Sequence, residues 1–193
     1  MRAMAGLRAE PPELAGSVIV VIDAQREYLD GRLPLPNIEP AIDTIERLLA
    51  AARDVGASVV HVAHQGKPGG TFDPESGGVI IEAVAPIEGE TVVHKTFPNA
   101  FAGTELRDVL TGLGDKALVL CGFMTHMCVS STARAALDLG IDTTVIADAC
   151  ATRPLPALGA GNAIPADVLH NVALTELADR FSVIASADAF LAR

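Results

Sequence analysis

Six short apolar runs rich in β-branched residues alternate, along nearly the whole chain, with segments whose apolar residues recur at helical spacing. The runs cover 17–23, 57–64, 91–95, 116–122, 141–149 and 181–186. Continuous apolar runs of this kind suit strands buried on both faces. Helical patterns fall between and after them, at 38–56, 103–114, 125–140, 166–180 and 187–193. Strands linked through helices pair in parallel, because the crossover returns each strand in the same direction. The pattern therefore predicts an α/β fold: three α/β/α layers around a parallel sheet of about six strands. A chain of 193 residues suits one such domain. We assign it to residues 17–193, with residues 1–16 as an N-terminal arm.

In open parallel sheets ligands sit at the carboxyl ends of the strands. The residues found there are Asp23, His61, His64, Lys95, the stretch 122–128, and the stretch 148–150. The turn after the first strand, "DAQREYLDG", lacks a dinucleotide-binding glycine pattern, and no phosphate-binding GxxxxGK[ST] occurs. No cofactor is expected. A formal net charge of −10 leaves no electrostatic footprint for nucleic acid. No apolar run is long enough to span a bilayer, and the start lacks the apolar core of a signal peptide. The three cysteines, Cys121, Cys128 and Cys150, form neither a CxxC pair nor a disulfide framework, which points to a reducing, cytoplasmic setting. The expected partner is a small-molecule substrate, with no nucleic acid and no membrane.

Cys128 stands in the first turn of a helix that follows a strand, in "GFMTHMCVSSTARAALDLG". Thr125 is a suitable N-cap for that helix. The free N–H groups and positive dipole end would then favour a thiolate at Cys128. Asp23 closes the first strand, where a carboxylate must be paired or hydrogen-bonded. Lys95 closes the third. An acceptor for the thiol proton, a balancing cation and a nucleophile make a coherent set. Core packing of the cysteine, capping by Asp23 and a surface lysine are the alternatives to it.

The stretches "VIDAQREYLDG", "HKTFPNAFAGTEL", "GFMTHMCVSSTARAALDLG" and "VIADACAT", in this order, resemble the isochorismatase-like cysteine hydrolase superfamily. It includes nicotinamidases and N-carbamoylsarcosine amidohydrolases, and the resemblance runs from Ser17 onward. It implies a catalytic triad of Asp23, Lys95 and Cys128. It also implies a cis peptide between Phe123 and Met124, an oxyanion hole from the N–H groups of Met124 and Cys128, and a homodimer or larger homo-oligomer. The reaction implied is cleavage of a small amide or related C–N bond through a thioester. Two other readings stand beside it: vinyl-ether hydrolysis without covalent catalysis, and a non-catalytic or redox thiol protein of the same fold.

The nicotinamidase metal motif is missing: the corresponding place reads His64-Gln65-Gly66, and the loop to Gly78 has no histidine. No metal is expected. His61 and His64 should point to opposite faces of their strand, and His64 should shape the pocket mouth. His126 is expected to contact the substrate or its loop, Tyr28 and Phe101 to wall the pocket, His94 to be structural and Cys121 to be inert. Cys150 should lie near the site. Specificity is assigned to the loops 65–78 and 154–165.

Overall fold

Every residue of β1 (Ser17–Ile22) is buried. Its alternate side chains serve two separate cores, so no position along it can be polar and free. Ile19 and Val21 face one core, and Val18, Val20 and Ile22 face the other. The computed structural model describes residues 1–114 and 116–193. After β1 come α1 (Ile38–Asp54), β2 (Ser58–His64), β3 (Thr91–Lys95), α2 (Leu106–Gly112) and β4 (Ala117–Phe123). The chain continues through α3 (Ser130–Asp138), β5 (Thr143–Ala151), α4 (Ala166–Arg180), β6 (Ser182–Ala185) and α5 (Ala187–Leu191). The six strands form one sheet in the order β3-β2-β1-β4-β5-β6, with every pairing parallel.

The helices divide between the faces as the side chains do. α1 and α5 supply Ile45, Leu48, Leu49 and Phe190 to one core, while α2, α3 and α4 supply Leu106, Ala133 and Leu177 to the other. This is the three-layer α/β/α arrangement expected from the sequence. α1 shows why its segment is helical: Ile38, Ile42, Ile45, Leu48 and Leu49 recur on one buried stripe. Gly56 ends it with φ 67°, while the N–H of Ala57 donates to the carbonyl of Ala52. Truncating Leu48 to alanine would cost about 2–5 kcal/mol, since its surroundings cannot collapse around the void. On the opposite face the small side chains of Ala133 and Ala136 are buried completely, so α3 lies close on the sheet.

Residues 1–16 fold back on the body. The Arg2 N–H donates to the Asp179 carbonyl at 2.9 Å, and its guanidinium donates to the Arg8 carbonyl at 2.8 Å. The strand order reverses between β1 and β4, so the chain runs outward in opposite directions from these two. A crevice opens at the carboxyl ends of strands diverging in this way, and ligands of such sheets bind there.

Candidate active site

β1 ends at Ile22, and Asp23 takes a left-handed φ of 50°. Its N–H still donates to the Val62 carbonyl at 2.8 Å, so the backbone is held while the carboxylate turns inward. Asp23 is 0% exposed, Lys95 2% and Cys128 4%. Lys95 Nζ lies 2.7 Å from Asp23 Oδ2, and it donates to Cys128 Sγ at 3.4 Å. The three residues named at the carboxyl ends thus converge. β1 and β4, which lead into Asp23 and the Cys128 turn, are neighbours, but Lys95 comes from β3, one strand further out. β2 lies between β1 and β3, and the long lysine side chain crosses its end. His64, the last residue of β2, lies on that path, with Nδ1 3.4 Å from Lys95 Nζ.

The electrostatics correct one expectation. Burial and the neighbouring Asp23 carboxylate push the Cys128 thiol up to about 12, against the opposing pull of Lys95. The helix-start argument predicted a lowered value, but desolvation in this closed site is the larger effect. Burial likewise raises Asp23 above the usual carboxylate range, and Lys95 works against it. Neither Asp23 oxygen has a hydrogen bond of good geometry among the described residues, the Lys95 contact being an ion pair. A buried carboxylate so placed is a ready proton acceptor for a group brought against it. His64 is kept below its ordinary value by burial and by Lys95, which favours the neutral imidazole.

The turn that carries the cysteine is not a regular helix start. Residues Thr125–Val129 form one π-helical turn ahead of α3, with the Met124 carbonyl accepting from the N–H groups of Met127 and Val129. Such single π turns concentrate at functional sites. Thr125 lies inside this turn and does not cap it: its hydroxyl pairs with His170 Nδ1 of α4 at 2.9 Å. His126 Nδ1 pairs with the Thr152 hydroxyl, just past β5. The Phe123–Met124 peptide is cis. Gly122, immediately before it, has φ 112°, and a Cβ there would stand 2.0 Å from the Ile22 carbonyl oxygen. Only glycine lets β4 approach β1 this closely beside Asp23.

Tyr28 is buried and meets Phe72 and Phe123 edge-on, with ring centroids 5.1 and 6.1 Å apart. Burial raises its hydroxyl first, and the charges of Asp23 and Cys128 raise it further, so it stands beside the acidic part of the site. Phe101 is half-buried against the core that also holds Cys128. Phe97, another aromatic of this region, is 58% exposed. Cys121 is fully buried and its thiol lies well above the usual range, chiefly through burial. Cys150 pairs in register with Gly122, and burial pushes its thiol to about 12. Asp148 turns away from the site, accepting from the Ala187 N–H at the start of α5. His94 is exposed, and His61 pairs with Glu90 on the side away from Lys95. Among the described residues no three His, Cys, Asp or Glu side chains are grouped to hold a metal ion.

Two residues that hold the site were not singled out from sequence. Gln25 is completely buried: its Nε2 donates to the carbonyls of His64 and Gly78, and its Oε1 accepts from the His64 N–H. Glu27, also buried, accepts from the backbone N–H groups of Arg32 and Phe72. Together they clamp the loop 65–78 over the end of β2. Their one sequence signal was position, two and four residues after the strand-ending Asp23.

A family model described as an isochorismatase domain matches residues 17–189. A secreted isochorismatase effector of Verticillium dahliae is 38% identical over 187 residues, covering 96% of this chain and 95% of the relative. A maleamate amidohydrolase of Pseudomonas putida is 31% identical over 153 residues, covering 70% and 72%. The crystal structure of an isochorismatase from Pseudomonas putida KT2440 superposes with a TM-score of 0.92 at 39% identity, covering 98% of this chain and 97% of that one. On sequence and fold together, the chain belongs to the isochorismatase family.

Proposed function

We propose that this protein is a cysteine-dependent hydrolase of a small amide or related C–N bond, with Asp23, Lys95 and Cys128 as its catalytic triad. The observation that carries the reading is the buried contact of Lys95 Nζ with both Asp23 Oδ2 at 2.7 Å and Cys128 Sγ at 3.4 Å. The amidohydrolase among its relatives supports the bond type. A thiol near 12 is not a preformed thiolate at neutral pH. Attack therefore couples to transfer of the thiol proton onto Asp23, whose raised basicity suits it to receive one. Sulfur bonds to the carbonyl carbon, and the N–H groups of Met124 and Cys128 hold the resulting oxyanion. Asp23 returns its proton to the leaving nitrogen, the C–N bond breaks, and a thioester remains. Water then attacks with Asp23 again as base, releasing the acid and restoring the thiol. Lys95 keeps the charge of the pair balanced throughout.

The same high thiol value weighs against a redox sensor, because the thiolate is the species that is oxidised. Vinyl-ether hydrolysis, suggested by the isochorismatase among the relatives, remains the competing reaction. The purified protein is assayed against small amides, carbamoyl compounds and isochorismate. Cys128→Ala should abolish amide turnover while leaving the fold intact, and a slow substrate should leave an acyl adduct on Cys128 in mass spectra. Full activity of Cys128→Ala on the preferred substrate would transfer the reaction to Asp23 alone. We place the hydrolase domain at residues 17–193, a start supported by the family match over 17–189, and the protein in the cytoplasm, which the three free, buried cysteines support.

A further inference from the structure

Lys95 holds its ammonium where water scarcely reaches: the residue is 2% exposed. An ammonium has three N–H donors, and a buried charged donor left unpaired is costly. Asp23 Oδ2 lies 2.7 Å from Nζ and Cys128 Sγ 3.4 Å, which leaves one N–H to place. The remaining acceptor at Nζ among the described residues is His64 Nδ1, at 3.4 Å. His64 and Lys95 are register partners on the parallel strands β2 and β3, so their side chains leave the same face of the sheet. The imidazole is itself held from two directions. Gln25 takes both backbone groups of His64, its Nε2 donating to the carbonyl at 2.9 Å and its Oε1 accepting from the N–H at 2.8 Å. Phe72 packs against the ring with centroids 4.9 Å apart, and its own N–H donates to Glu27 at 3.1 Å.

We propose that His64 is a positioning residue for the triad: its neutral imidazole accepts the third N–H of Lys95 at Nδ1 and holds the ammonium between Asp23 and Cys128. The inference rests on the hydrolase reading above and adds a residue that acts through Lys95, not on the substrate. A nitrogen that accepts is bare, so the ring proton sits on Nε2. Lysine ends in a point charge on a flexible four-carbon stem. Held by two acceptors, that charge can still shift from one toward the other; a third fixes its place, and the charge balance of the pair depends on that place. The arrangement holds only while His64 is neutral. A proton on Nδ1 would set two cations 3.4 Å apart and turn an acceptor into a donor. The surroundings favour the neutral ring: burial and Lys95 from β3 oppose protonation more than Asp23, just past β1, promotes it. Gln25 and Phe72, which also touch His64, carry no charge.

The first measurement needs no substrate. Long-range proton–nitrogen NMR spectra of the histidine-labelled wild type report the tautomer and titration of each ring, and His64→Asn identifies the His64 signals. At pH 7 His64 should carry its proton on Nε2 with Nδ1 bare, and it should titrate below the ordinary 6.5. Lys95→Met should raise that midpoint, because the cation opposing protonation is gone. A proton on Nδ1 at pH 7, or a midpoint indifferent to Lys95→Met, would overturn the proposal. The tautomer is read on the wild type, so it decides the matter even where Lys95→Met does not fold. The second measurement is turnover of the best-cleaved small amide. His64→Leu should lower kcat about 10–100-fold with KM little changed, the worth of a hydrogen bond to a charged group. His64→Asn, whose Oδ1 stands in the place of Nδ1, should recover most of the loss. Unchanged kcat in His64→Leu, or equal losses in the two variants, would overturn the proposal as well. The Nε2 tautomer and a Lys95-dependent midpoint in a wild type that cleaves no amide would sink the hydrolase reading and leave the pairing of His64 with Lys95 standing.

Discussion

At the scale of single residues, the Cys128 thiol is governed by competition among three charges in a closed space. Burial and Asp23 raise it to about 12, and Lys95 pulls it down. A thiol whose folded value is raised stays protonated until the pH climbs well past its ordinary value of 9.0. Alkylation of the free enzyme by iodoacetamide should accordingly be slow at pH 7–8 and accelerate only in the alkaline range. Asp23→Asn removes the like charge, so the midpoint should fall even as turnover is lost. Lys95→Met removes the cation, and the midpoint should rise. A wild-type midpoint at or below neutrality would show that the helix start outweighs burial after all. Coupled groups of this kind titrate together, so the shifts belong to the set and not to one member.

At the scale of elements, the site depends on how closely β4 approaches β1 just before the cysteine turn. Gly122 permits it, at φ 112° and with no room for a Cβ beside the Ile22 carbonyl. Gly122→Ala must therefore push apart the two strands that carry Asp23 and the Met124–Cys128 turn. We expect a loss of about 1–3 kcal/mol of stability by denaturant unfolding, the usual cost of overpacking. We also expect a fall in kcat out of proportion to it, since the catalytic groups shift relative to one another. An alanine variant with wild-type kcat would show that the loop adjusts without the site. Gln25 works on the neighbouring strand: by holding both His64 and Gly78 it fixes the entrance to the site.

At the scale of the whole molecule, one property is set far from the chemistry and a second is expected of the surface. Glu90 joins α1 to β2, accepting from Arg53 and the Ile87 N–H and pairing with His61. Burial alone would raise its carboxyl, but Arg53, the Ile87 N–H and His61 overcome that and hold it at about 2. A depressed carboxylate stabilises above its ordinary value of 4.5 and loses that contribution as the pH falls toward about 2. The melting temperature should therefore drop through this window, and Glu90→Gln should be less stable at pH 7 yet less sensitive to acid between these limits. Parallel titration curves for the two proteins would remove Glu90 from the account. The second property is association. Leu158, Ile164, Val168 and Val172 are exposed on the loop before α4 and on α4 itself. Apolar surface of this kind marks interaction sites, and we expect a symmetric homo-oligomer. Light scattering should find it at micromolar concentration, and Leu158→Asp with Val172→Asp should dissociate it without altering the far-ultraviolet spectrum. A monomeric wild type would contradict this.

What the chain determined unaided was whatever periodicity and chain order can encode. β-branched runs and helical stripes specified six strands, five helices and their layers, because each must bury its apolar face against something. The order of the strand ends placed Asp23, Lys95 and Cys128 on one edge of one sheet. Only the tertiary structure decided that Lys95 crosses the end of β2 to reach Asp23, since strand order is a product of packing and not of sequence spacing. It also decided the thiol. A helix start is local and legible, whereas desolvation depends on every group that closes over the sulfur. For the same reason Gln25 and Glu27 passed unmarked: each is an ordinary polar residue in a loop until folding buries its donors or acceptors and leaves them to find partners.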